Sequence, residues 1–254
     1  MQYMGGKSRT GQYILNAILE HLDDNHIRPS DYHGYYEPFC GQLGVLRRAV
    51  PHFRNLYASD GCEDLILLFK QMQRDGYIEC PEPITEELYA KLKSGVSSPL
   101  RAIAGFGLSY SGIWFDGYAP KYASRDFQKT ALQGLNKLIA TIGLETFRSI
   151  QFDHRDYLDD VFVTKSLPLV IYCDGPYKGS SKPFGSSFGF DISTFWSVVC
   201  KWASYGHLVF VSEVVVPLEY QDRVLEIYSG SVKSTINRSH NKKVYSDKVF
   251  RILA

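Results

Sequence analysis

The chain has 254 residues, 44% of them apolar and 14% aromatic, which is ample for a buried core. This excludes a disordered chain, a collagen-like repeat and a disulfide-stapled miniprotein. Its 28 basic side chains nearly balance 27 acidic ones, and a net charge of +1 selects no partner, whereas many nucleic-acid binders are strongly basic overall.

The N-terminal MQYMGGKSR lacks the apolar stretch of a signal peptide. Helical spacing of Ile14, Leu15, Ile18, Leu19 and Leu22 predicts a first helix. Residues 35–39 read as a short strand ending in the turn Gly41-Gln42-Leu43-Gly44, which opens a helix through Val50. A second strand is predicted over 55–59, followed by Asp60 and a helix over 65–72. Residues 148–152, 167–173 and 207–211 are short apolar runs that suit buried strands of a largely parallel sheet. A helical pattern fills 192–202, and 244–253 suits a closing strand. The interval 73–147 breaks this alternation. It contains Pro81, Pro83, Pro99, Pro120 and the run FGLSYSGIWFDGY, and loops beyond ~15 residues are uncommon. The expected fold is α/β: a Rossmann-like sheet domain built from 1–72 and 148–254, with 73–147 inserted as a mostly helical subdomain.

Cysteines at 40, 62, 80, 173 and 200 include no CxxC pair, so neither a zinc ribbon nor a thioredoxin-type motif is expected, and no metal site. Scattered in apolar surroundings, they predict reduced thiols in a cytoplasmic compartment. No run reaches the ~18 apolar residues of a membrane helix. The expectation is a soluble, intracellular protein, with no membrane partner.

Four segments suit one chemistry. A strand followed by Glu37-Pro38-Phe39-Cys40-Gly41 brings backbone close to a ligand at the sheet's carboxyl edge, where open α/β sheets bind nucleotides. The G-x-G-x-x-G dinucleotide pattern is absent. Asp60, at the end of the next strand, can accept both hydroxyls of a ribose, although an aspartate there also suits a helix N-cap. The strand 169–173 runs into Asp174-Gly175-Pro176-Tyr177, an acid, a tight turn and an aromatic, which resembles the D-P-P-Y tetrapeptide of adenine-N6 DNA methyltransferases and implies their chemistry. An exocyclic amine is a poor nucleophile because its lone pair is delocalised into its ring. The Asp174 carboxylate and the Gly175 carbonyl can accept its N–H bonds, and Tyr177 offers a face for a flipped base. Lastly, Tyr3, Gly5, Gly6 and Lys7 place backbone and a cation at a helix start.

In this order, the segments resemble the Dam-type (D12 class, phage- and virus-like) DNA adenine-N6 methyltransferases. The segment 111–118, Ser212-Glu213 and 248–251 resemble further parts of that family. The resemblance implies S-adenosyl-L-methionine as cofactor, double-stranded DNA as partner, and a target-recognition role for 73–147. It implies a catalytic Asp174, Gly175, Pro176 and Tyr177, and a cofactor site of Tyr3, Gly5, Gly6, Lys7, Glu37, Pro38, Phe39, Gly41 and Asp60. Asp156 and Tyr157 resemble the pair that flanks the cofactor's adenine. The family's proline at position 175 is glycine here. Its carbonyl survives but its rigidity does not, and added backbone freedom of ~1 kcal/mol corresponds to about a five- to tenfold slower rate. Methylation of RNA adenine, or a relative that binds DNA and cofactor without catalysis, are the alternatives. Residues 228–251 carry six basic side chains and one acid, and 101–148 six and three, which suits phosphate contacts from both segments.

Overall fold

Short runs, buried along their whole length in the central strands β1, β4 and β5, pair among the described residues into a seven-stranded sheet of order β3-β2-β1-β4-β5-β7-β6. The computed structural model describes residues 1, 6–122, 125–159, 163–177, 190–233 and 244–254. The strands are β1 (Gly34–Glu37), β2 (Leu56–Asp60), β3 (Gln151–His154), β4 (Leu169–Cys173), β5 (Leu208–Glu213), β6 (Val224–Lys233) and β7 (Val244–Ile252). The first five pair parallel, while β7 runs antiparallel between β5 and β6.

Both faces of the sheet are covered, as parallel strands require. On one face Val170 and Tyr172 of β4 join Ile14, Leu15, Ile18 and Leu22 of α1 (Gly11–Asp24) and Leu65, Leu68 and Phe69 of α3 (Glu63–Asp75). On the other, Leu169, Ile171 and Cys173 pack with Phe195, Trp196 and Val199 of α8 (Ile192–Ser204). The remaining α-helices among the described residues are α2 (Leu46–Ala49), α4 (Glu86–Lys93), α5 (Pro99–Ala102), α6 (Phe127–Ile142) and α7 (Leu144–Ser149). The last three, with α4 and a π-helical turn over Ile103–Gly107, make the interval between β2 and β3 mostly helical. Tyr89, Phe106 and Leu135 of this interval belong to the same cluster as α1 and α3. Asp64 of α3 fastens it: its carboxylate takes the Ser98 N–H at 2.7 Å and the Arg101 guanidinium at 2.5 Å.

Two elements differ from the sequence reading. Residues 148–152 straddle two elements, because Gln73 gathers the carbonyls of Phe147 and Ile150 at 2.9 and 2.7 Å and ends α7 there. Strand β6 was not expected, since Ser229, Gly230 and Lys233 interrupt its apolar alternation; its partner β7 supplies the pairing. No helix among the described residues is long and apolar enough to cross a membrane.

Candidate active site

The strand order reverses between β1 and β4, so the crevice past their carboxyl ends is a topological switch point, where open α/β sheets bind ligands. Three groups of side chains converge there.

The first group is polar. Lys7 Nζ lies 2.9 Å from Asp174 Oδ1 and 3.5 Å from Asp247 Oδ2, and donates to the Tyr177 hydroxyl at 2.5 Å. That hydroxyl sits 3.1 Å from Asp174 Oδ1 and 2.9 Å from Asp247 Oδ1. The Lys7 ammonium also lies 4.8 Å from the Tyr177 ring centre. Two carboxylates and one ammonium are thus packed together, with side-chain exposures of 10% for Lys7, 16% for Asp174 and 8% for Asp247. Burial pulls the ammonium down, but Asp174 and Asp247 outweigh it and hold the Lys7 pKa above its ordinary value. Burial raises Asp174, Lys7 opposes that rise, and the Asp247 charge adds to it. Burial likewise pushes the Tyr177 phenol well up, with both carboxylates adding to the effect. Among the described residues, nothing donates to the second oxygen of Asp174.

The second group is the turn after β1. Gly41 takes φ 45° and Leu43 φ 56°. A leucine in the left-handed region stores about 1–3 kcal/mol of strain, sustained here by complete burial of its side chain. Asp60 closes the turn from β2: Oδ2 accepts the Gly41 N–H at 3.0 Å and Oδ1 the Cys62 N–H at 2.9 Å. Burial raises the Asp60 pKa, against these two hydrogen bonds. Glu37 points inward, accepts the Tyr35 hydroxyl at 2.9 Å, and is only 2% exposed. Burial drives its carboxyl well above the usual range, while the Tyr35 hydroxyl and the Leu46 N–H pull the other way. Pro38 is buried beside it. Gln42, unremarked in the sequence, has a buried amide nitrogen with no hydrogen-bond partner among the described residues.

The third group is aromatic. Phe39 lies 5.4 Å from Tyr157, 6.0 Å from Phe190 and 5.7 Å from Phe195, centre to centre. Tyr157 is buried and its neighbour Asp156 is exposed, with the Asp156 carboxylate capping the Leu158 N–H at 2.9 Å. A Cβ on Gly175 would meet Phe190 at 3.3 Å and Phe39 at 3.5 Å, so these rings lie against the 174–177 turn.

The structure therefore brings Lys7, Glu37, Phe39, Gly41, Asp60, Tyr157, Asp174, Gly175 and Tyr177 to one edge. Gly6 is exposed next to Lys7, Pro176 is half-buried in the turn, and Tyr3 and Gly5 lie outside the described residues. Asp247 was missed because it is the lone acid of a basic run, and only the β5–β7 pairing carries it to this edge. In that run, Arg238, Lys242 and Lys243 lie outside the described residues, Lys248 pairs with Glu226 at 2.6 Å, and Arg251 donates to the Ile252 carbonyl. Trp114 packs on Phe106 and Phe115, 4.5 and 4.8 Å between ring centres, beneath the Arg101 guanidinium.

Among the described residues, no group of three or more His, Cys, Asp or Glu side chains is placed to hold a metal ion. No curated protein matches the chain. Residues 3–99 match the model of the D12 class N6 adenine-specific DNA methyltransferase family. That span holds Lys7, the Gly41 turn and Asp60, and ends before Asp174.

Proposed function

We propose that the chain transfers a methyl group from S-adenosylmethionine to adenine N6 in DNA. One observation carries the reading: Lys7, inside the family match, is paired at 2.9 Å with Asp174, outside it, at the switch point of the sheet. An acid joined to the matched segment there is where an amine-methylating site needs its proton acceptor.

The residues present fit the cofactor. The Gln42 amide nitrogen is a buried donor left unsatisfied among the described residues, a condition a ligand acceptor relieves. The Asp60 oxygens each accept one N–H and each keep a lone pair for a ribose hydroxyl. Gly6, Lys7, Phe39, Gly41, Asp60, Asp156 and Tyr157 would hold it, while Glu37 and Pro38 shape the turn. When bound, S-adenosylmethionine supplies a methyl group activated by its sulfonium.

The chain's own part is orientation and proton handling. Asp174 accepts one amine N–H and holds the proton that the alkylated nitrogen releases, and the Gly175 carbonyl accepts the other. Phe39, Phe190 and Tyr177 enclose a base turned out of its helix. The helical interval 73–147 reads the target. Basic side chains, those of 228–251 among them, meet phosphates.

The test is transfer of labelled methyl from S-adenosylmethionine to mixed-sequence duplex DNA, with N6-methyladenine read by sequencing. Label on adenine N6 at a defined sequence is the expected result. Label on RNA alone replaces the substrate, and cofactor binding without transfer to either replaces the enzyme by a binding protein.

A further inference from the structure

The polar group contains one carboxylate more than the chemistry above uses. Asp247 enters from β7, the antiparallel strand, and is buried. Its two oxygens serve two partners, Oδ1 facing the Tyr177 hydroxyl at 2.9 Å and Oδ2 facing Lys7 at 3.5 Å. Asp174 faces the same partners through Oδ1 alone, at 3.1 and 2.9 Å.

A hydroxyl has a single proton. It lies between the two acids and is closer to Asp247. The phenol oxygen accepts from Lys7, and the remaining ammonium protons face the two carboxylates. Resting on the methyltransferase reading above, we propose that Asp247 is a positioning residue, taking the phenol proton of Tyr177 and sharing Lys7 so that Asp174 keeps one oxygen edge free for the target amine.

The charges work in the same direction. Among the described residues, the groups that face Asp174 are Lys7 from the N-terminal segment, Asp247 from β7, Tyr177 from its own turn, Glu37 from β1, and Tyr172 and Cys173 from β4. Lys7 lowers the proton affinity of Asp174, and Asp247 raises it. Without Asp247, the phenol proton and the whole ammonium fall to Asp174. Both changes make it a poorer acceptor for an amine proton.

Asp247→Asn keeps the size of the side chain and removes its charge. In protein carrying 13C-carboxyl aspartate, with the Asp174 signal identified by its loss in Asp174→Asn, Asp174 titrates about one pH unit lower in Asp247→Asn than in wild type. In the methyl-transfer assay, kcat falls by about 10- to 100-fold, the acid limb of its pH profile moves down with the titration, and KM for the cofactor stays within about twofold. Asp247→Glu, which restores the charge, brings the titration back towards the wild-type position. An Asp174 titration unmoved in Asp247→Asn overturns the proposal. If that variant does not fold, Tyr177→Phe decides: Asp174 titrates no higher than in wild type when the phenol proton belongs to Asp247, and rises if the proton lay on Asp174. Wild-type protein that transfers no methyl group, yet shows these titrations, overturns the methyltransferase reading and leaves the Asp247 arrangement standing.

Discussion

The carboxyl ends of β2 and β4 each lead into an aspartate, and the two are held in opposite ways. Asp60 is tied to main chain, its oxygens accepting the N–H groups of Gly41 and Cys62. Asp174 is held among the described residues by side chains alone, the Lys7 ammonium and the Tyr177 hydroxyl. An acid fixed by backbone resists change and braces a turn. An acid fixed by side chains can exchange partners and protons, which is what a reacting site needs.

That contrast predicts where each substitution is felt. Asp174→Asn should lower methyl transfer by about 10²–10⁴-fold at saturating cofactor, measured in single turnover, with little loss of stability. An unchanged rate would remove Asp174 from the chemistry. Asp60→Ala should cost about 2–4 kcal/mol in urea unfolding, because each lost bond joins a carboxylate to a backbone N–H that is left unpaired. A loss under 1 kcal/mol would show that the turn stands without its brace.

Glu37 sharpens the comparison, as an acid buried without a cationic partner among the described residues. Its folded pKa lies above the unfolded one, so above pH ~4.5 the native state holds the extra proton. Stability then falls as pH rises towards the folded pKa, by up to about 1.4 kcal/mol per unit. Glu37→Gln should flatten that decline in unfolding curves between pH 5 and 8; a slope identical to wild type would contradict it.

The smallest effect concerns Gly175. Its φ lies outside the left-handed region, so a side chain is admissible, but the Phe190 ring at 3.3 Å from a Cβ must yield by a few tenths of an ångström. Gly175→Ala should shift stability by less than about 1 kcal/mol. Gly175→Pro should raise the single-turnover rate by no more than about tenfold. Rigidity of the turn alone argues for about five- to tenfold, and crowding against Phe190 offsets part of it.

Much of this was legible in the sequence. Periodic apolar residues marked α1, α3 and α8, and the run ending at Cys173 marked β4, because each buries a continuous face. Asp60 and Asp174 were visible because they end such strands. The orphaned amide of Gln42 and the role of Asp247 were not, since both depend on what the folded chain brings near them. Arg148 was misplaced for the same reason: the Gln73 amide, reaching from α3, ends the helix that contains it.

The strand order β5-β7-β6 places the most C-terminal strand between two that precede it in the chain. During synthesis β6 therefore emerges with no neighbour to pair with, and β5 keeps an open edge until residues 244–252 leave the ribosome. Until then Asp247 is absent from the switch point, and Lys7 and Tyr177 have a single acid between them. A chain cut short before residue 244 would present two bare strand edges, open to pairing with other chains and to proteases. Truncated copies should thus be cleared or aggregate, and only a chain made past β7 carries the full polar group.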